Sequence, residues 1–133
     1  MASIHKDILI DASPEAVWDA VRDVGKIHER LCPGFVVNTE MVDDDTARMV
    51  TFGNGMVVKE VIVDSDDDRR RLVWTAQSER LTHHNGVMRI EDAGQGRARA
   101  VWTADVLPHA AAETVGAMMA QGLAAMKARL EQP

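Results

Sequence analysis

Two adjacent histidines, His83 and His84, have the side chains best suited to chemistry in this sequence, which contains five histidines. They lie in the segment RLTHHNGVMRIED, residues 80–92. An imidazole titrates near neutral pH and can serve as an acid, a base or a metal ligand. What the two side chains can do together depends on the element that carries them, because neighbouring side chains of a strand point to opposite faces.

A strand over residues 82–92 would place the two histidines on opposite faces of a sheet. Arg89 and Glu91 set the phase, since charged side chains favour the solvent face. The alternation then turns His83 outward and His84 inward, so we predict that the two do not chelate one ion. Two interpretations of His84 stay open: a neutral interior histidine with a hydrogen-bond partner, or an acid or base that lines a cavity.

The same alternation turns two tryptophans inward on neighbouring strand candidates. In RRRLVWTAQ an outward Arg71 turns Trp74 inward, and in RARAVWTADV the outward Arg97 and Arg99 turn Trp102 inward. The two tryptophans are either plain core or part of a cavity wall. The small alanines beside Trp102 leave open volume, as a cavity requires.

Four further residues carry reactive groups whose roles the sequence alone leaves open. His28 is a second acid/base candidate, and the alternative is a solvated surface helix. Cys32 is either a thiol at an entrance or a buried apolar side chain. Lys59 and Glu60 are adjacent in VVKEVIV, so one of them points inward, and an inward Glu60 with His84 would make an acid/base pair.

Several classes of protein are disfavoured by what the chain lacks. It has no G-x-S-x-G, H-E-x-x-H or C-x-x-C motif and no phosphate loop, and its histidines lack metal-ligand spacing, so we predict no metal and no cofactor. A net charge of -6 argues against nucleic acid as a partner. No apolar stretch is long enough for membrane insertion. The single cysteine, Cys32, fits a reducing compartment, and we expect a cytoplasmic protein.

The order of the elements can be read from local signals. SIHKDILID, residues 3–11, predicts a strand, and the next segment predicts a helix that Ser13 caps, Pro14 begins and Gly25 ends. KIHERL adds a short second helix. Six strand candidates separated by turn signals then predict an antiparallel meander. They are FVVNTEMV, TARMVTF, MVVKEVIV, RLVWTAQ, THHNGVMRIE and RARAVWTADVL.

The final segment, PHAAAETVGAMMAQGLAAMKARLEQP, predicts a long helix because good helix formers dominate it. Gly122 lies on its apolar stripe and leaves room for something packed against it. The stripe contains Val115, Met118, Met119, Gly122, Met126 and Leu130.

With the motif IDASPEAVWDAVRDVGKIHE, this order resembles the SRPBCC superfamily, the START-like and birch-pollen-allergen-like helix-grip proteins, and among them the polyketide cyclase/dehydrase-like branch. The resemblance covers residues 1–133 as a single domain. It implies an α+β helix-grip fold, in which a seven-stranded antiparallel sheet curls around the long C-terminal helix, with two short helices after strand 1. It also implies a hydrophobic cavity, because members of the superfamily bind lipids, sterols, polyketides or other apolar molecules.

We therefore predict binding of an apolar, aromatic or polyketide-like small molecule between the sheet and the C-terminal helix. In the resembled fold the short helix of His28 lies near the cavity mouth. The predicted ligand-binding residues are Trp18, His28, Phe35, Trp74, His84, Met88, Trp102, Met118, Met119, Gly122 and Met126.

Two alternatives to simple binding stay open. One is a cyclase, dehydratase or hydrolase in which His84 or His28 acts as the general acid or base. The other is a protein-interaction module, which an exposed contiguous apolar patch would favour. The open edges of a sheet also make a homodimer a reasonable expectation.

Overall fold

One antiparallel sheet of seven strands and three α-helices form the protein, and the computed structural model describes residues 2–132. The chain begins with β1 (Ala2–Ile10), α1 (Pro14–Arg22) and α2 (Ile27–Arg30). Six strands follow: β2 (Val36–Val42), β3 (Ala47–Phe52), β4 (Val57–Asp66), β5 (Arg71–Gln77), β6 (His83–Gly94) and β7 (Arg97–Leu107). A short 3-10 helix (His109–Ala111) leads into α3 (Ala112–Leu130).

The sheet has the strand order β1-β7-β6-β5-β4-β3-β2, so the meander of six strands ends beside the first strand. The sheet curls around α3, and the predicted α+β helix-grip fold is confirmed. The strands β1 and β2 form its two edges.

The start of α1 follows the predicted capping chemistry. The hydroxyl of Ser13 accepts a hydrogen bond from the backbone N–H of Ala16 at 3.1 Å, and Pro14 occupies the first turn, where its missing N–H costs nothing. The helix then buries Val17 and Val21 in the core.

The predicted end of α1 at Gly25 is wrong, because the helix ends at Arg22. Asp23 leaves the helical conformation, and the N–H of Val24 bonds to the carbonyl of Arg22 at 2.9 Å. Gly25 serves close packing instead, since a Cβ there would lie 3.0 Å from Cγ of Met41.

The predicted facing of the strands is confirmed on β6. Gly86, Met88 and Ile90 are buried, whereas His83 and Arg89 are exposed. On β7 the residues predicted to face inward are buried or partly buried, namely Ala98, Ala100, Trp102, Ala104 and Val106. This alternation gives the sheet one apolar face, which is the face on which α3 packs.

Two glycines set how closely α3 approaches the sheet. A Cβ on Gly116 would make ordinary contact with Ile4 of β1 at 3.6 Å. A Cβ on Gly122 would lie 2.8 Å from Trp102, which is closer than real Cβ atoms come, and 3.0 Å from Phe35, which is a very tight contact. Gly116, which the predicted stripe omitted, therefore joins Gly122 on the buried face of the helix.

Alanine at these two positions should have opposite effects. Gly116→Ala should raise the free energy of unfolding by about 1 kcal/mol, because alanine is the better helix former and the site has space. Gly122→Ala gains the same propensity but must displace two aromatic rings, so it should be less stable than Gly116→Ala by roughly 1–3 kcal/mol. Urea denaturation of both variants measures the difference, and equal stabilities would contradict the close contact.

Candidate functional site

A cavity of about 400 Å³ lies between the sheet and α3. Aliphatic and aromatic side chains form most of its wall. Nine of the eleven predicted ligand-binding residues line it: Phe35, Trp74, His84, Met88, Trp102, Met118, Met119, Gly122 and Met126. Their contact with a ligand stays a prediction.

The other two predicted residues, Trp18 and His28, do not line the cavity. Trp18 packs in the core, and its indole N–H donates to the carboxylate of Asp67 at 2.9 Å. His28 lies on the single turn of α2, where the neighbouring Ile27 lines the cavity instead. Adjacent residues of a helix point about 100° apart, and the orientation that brings Ile27 to the cavity turns His28 away from it.

Several lining residues were not predicted from the sequence. The most important is Arg48, because charged side chains were expected to face solvent. Others come from connections whose facing a strand pattern does not describe. They include Ser78, Arg80 and Leu81 after β5, and Ala110, Ala111 and Thr114 at the start of the C-terminal helical segment.

A polar row crosses four neighbouring strands of the cavity wall. Arg48 on β3 is directly opposite Glu60 on β4, and Glu60 is opposite Ala76 on β5. The backbone N–H of Ala76 in turn donates to Nδ1 of His84 on β6 at 3.0 Å. All four residues line the cavity, whereas Lys59 does not. The facing that the sequence left open is thus settled with Glu60 inward.

The ion pair in this row is buried. Nε and Nη2 of Arg48 lie 2.9 and 2.8 Å from Oε1 of Glu60, and the side chains are 5% and 11% exposed. Nη1 donates to the carbonyl of Val24 at 3.2 Å, and the guanidinium lies 5.8 Å from the ring centroid of Trp74. Removing either charge would therefore strand its partner in an apolar wall.

Three neighbours fix the position of His84. The hydroxyl of Thr75 donates to its carbonyl at 2.6 Å, and Ala76 holds its ring as described above. A Cβ on Gly86 would lie 3.1 Å from Cε1 of the imidazole and 2.9 Å from the indole of Trp74. Glycine at this position thus leaves the space that both rings occupy.

These contacts replace regular strand pairing between β5 and β6. The paired residues run from Arg71 opposite Arg89 to Trp74 opposite Gly86, and stop there. Beyond that point the strands are joined through the side chains of Thr75 and His84. The strands therefore separate next to the connection whose residues line the cavity.

Burial alters the titration of two groups in the wall. It lowers the pKa of His84 below the ordinary value of 6.5, against the opposing effect of the Glu60 carboxylate; His83 lowers it further and Asp105 raises it. Burial also raises the pKa of the Cys32 thiol to about 12. The imidazole is therefore neutral at neutral pH, and Cys32 is a thiol rather than a nucleophilic thiolate.

Two further properties of the wall bear on its chemistry. The indole nitrogen Nε1 of Trp102 is buried and has no hydrogen-bond partner among residues 2–132. In the same part of the chain, no group of three or more His, Cys, Asp or Glu side chains could hold a metal ion.

The curled sheet, the long helix and the apolar cavity between them define a START-like helix-grip protein. The chain belongs to the polyketide cyclase / dehydrase and lipid transport family, which it matches over residues 1–131. No functionally curated protein matches its sequence.

Solved structures with the same fold come from several sources. A START superfamily protein from Mycobacterium smegmatis is 16% identical, with a TM-score of 0.78 and coverage of 98% of this chain and 97% of that one. A protein from Thermobifida fusca is 25% identical, with a TM-score of 0.79 and coverage of 98% and 93%. The di-domain ARO/CYC BexL of the BE-7585A biosynthetic pathway is 18% identical, with a TM-score of 0.84 and coverage of 98% and 47%.

The low pKa of His84 should appear in the pH dependence of stability. Because its pKa is lowered in the folded chain, His84 binds a proton more readily in the unfolded chain. The free energy of unfolding should therefore fall as pH is lowered from 7.5 to 5.5. In His84→Gln this decrease should be smaller. Urea denaturation across this pH range tests both statements, and an unchanged slope in the variant would contradict them.

The buried ion pair should behave differently from an exposed one. Arg48→Met or Glu60→Met should each lower the free energy of unfolding by about 3–5 kcal/mol, while the double variant Arg48→Met/Glu60→Met should cost less than the sum. The matched control is Arg89→Met, whose partner Glu91 is 43% exposed, and it should cost about 0–1 kcal/mol. An equal loss of unfolding free energy in Arg48→Met and Arg89→Met would contradict the expected difference between the buried and the exposed ion pair.

Proposed function

We propose that this protein binds an apolar small molecule, of aromatic or polyketide-like type, in the cavity between the sheet and α3. The cavity itself is the observation that carries the proposal. Its volume of about 400 Å³ lies within the usual range for ligand pockets. Apolar walls with a few fixed polar groups are also the usual composition of such sites.

The side chains of the wall favour a ligand with flat rings. Trp74 and Trp102 lie 5.8 Å apart between ring centroids at an angle of 53°, and Phe35 meets Phe52 edge-on at 5.4 Å. Aromatic faces and edges suit further ring contacts. The methionines of the wall, Met118 on α3 among them, can adapt to an irregular ligand because their side chains are flexible.

A second candidate is a reaction on the bound molecule, such as a cyclisation or a dehydration. The observation that favours it is the presence of Glu60 and His84 in the same apolar cavity, where a carboxylate and an imidazole can meet a substrate. The family to which the chain belongs and the similarity to BexL agree with this candidate. His28, outside the cavity, has no part in it.

Three further properties concern membrane spans, cellular location and oligomeric state. Among residues 2–132, none of the helices is long and apolar enough to cross a membrane. We further infer a cytoplasmic location, because the single cysteine fits a reducing compartment. Homodimerisation through β1 or β2, the edges of the sheet, stays a prediction.

Binding can be tested with the neutral fluorescent probe N-phenyl-1-naphthylamine. The probe should bind the wild-type protein saturably at one molecule per chain. Ala76→Phe, which fills the space between Glu60 and His84, should weaken binding at least about tenfold through steric exclusion. The same substitution at the exposed Ala120 of α3 is the control and should leave binding unchanged.

Native mass spectrometry of freshly purified protein, before and after organic extraction, supplies a second readout that needs no variant. A bound small molecule that extraction removes would support the proposal and give its chemical class. Absence of saturable probe binding to the wild-type protein, or equal effects of the two phenylalanine substitutions in folded variants, would overturn it.

A further inference from the structure

We propose that His84 is a fixed hydrogen-bond donor that selects ligands with an acceptor oxygen, such as a ketone carbonyl, over hydrocarbons of the same shape. The inference rests on the proposed binding function and adds the chemical group that the cavity recognises. Three steps lead to it: the tautomer of the ring, the access to its free nitrogen and the rigidity of its position.

The tautomer of His84 follows from its contact with Ala76. A backbone N–H can only donate, so Nδ1, at 3.0 Å from it, must accept and carries no proton. A neutral imidazole has one N–H, which must then be at Nε2. Protonation of the whole ring would set a second N–H against that of Ala76.

The remaining nitrogen is open to a ligand. Among the described residues, Nε2 of His84 has no hydrogen-bond partner. Nε1 of Trp102 is both unpaired and fully buried, whereas Nε2 of His84 is unpaired but not fully buried, so a ligand or solvent can reach it. The side chain that carries it lines the cavity.

The ring is held in place before any ligand arrives. Thr75 fixes the backbone of His84, Ala76 fixes Nδ1, and the ring fills space that only glycine at position 86 leaves. A donor that is already oriented loses little conformational entropy on binding, which favours selectivity.

This arrangement makes His84 unsuited to act as a general base. The lone pair of Nδ1 is engaged by Ala76, and Nε2 already bears a proton, so neither nitrogen is free to accept one. Burial and the neighbouring His83 oppose the charged ring, and together they outweigh Glu60 on β4 and Asp105 on β7, which favour it. The other charged side chains of the wall are Arg48 on β3, which is paired with Glu60, and Arg80 after β5. The histidine therefore acts as a donor across the neutral pH range.

Two probes of matched shape, 2-acetylnaphthalene and 2-isopropylnaphthalene, test the proposal. They differ in a carbonyl oxygen where the second has a methyl group. The ratio of their dissociation constants should shift by about two- to tenfold against the ketone in His84→Leu, the effect of losing one hydrogen bond. His84→Gln, which keeps an N–H donor, should retain most of the preference for the ketone. A ratio unchanged in His84→Leu overturns the role of His84.

Failure of the proposed function gives a different result, since neither naphthalene would then bind the wild-type protein. The ring 15N spectrum of wild-type protein labelled at histidine supplies a readout independent of any variant. At pH 8 it should show Nδ1 unprotonated and Nε2 protonated. A proton at Nδ1 would overturn the proposal even if His84→Leu failed to fold.

Discussion

A single helix cannot cover the inner face of a seven-stranded sheet, and this geometric constraint underlies the rest of the structure. Seven strands at about 4.8 Å spacing span roughly 30 Å, whereas a helix with its side chains is about 10 Å wide. α3 packs mainly on β1, where Gly116 meets Ile4. The inner faces of β3 to β6 therefore border open volume, and short helices and connections close it.

The polar row lies within this uncovered part of the sheet, and its members satisfy one another. Arg48 is bound by Glu60 and by the carbonyl of Val24, so the row also ties the segment after α1 to the sheet. His84 takes its partner from the backbone of Ala76. Because these contacts come from the protein itself, the polar groups are held in place without a ligand.

Alternation predicted the inward side chains of β6 and β7, because one face of this sheet is buried and a period of two then fixes every position. The same rule would place Arg48, whose strand was given no facing, in solvent, since it cannot foresee a partner on the next strand. For Lys59 and Glu60 it gave no answer, as both neighbours are charged. Trp18 and His28 were assigned to the cavity, but the facing of helical side chains depends on tertiary packing that sequence spacing does not define.

The place where strand pairing stops gives His84 a second effect. Its side chain takes over from the backbone where β5 and β6 part, next to the connection whose residues line the cavity. The proposed hydrogen-bond donor is thus also one of the two side chains that join β5 to β6 beside the cavity. An exchange of His84 would therefore change a polar group of the cavity wall and the join between two strands in the same step.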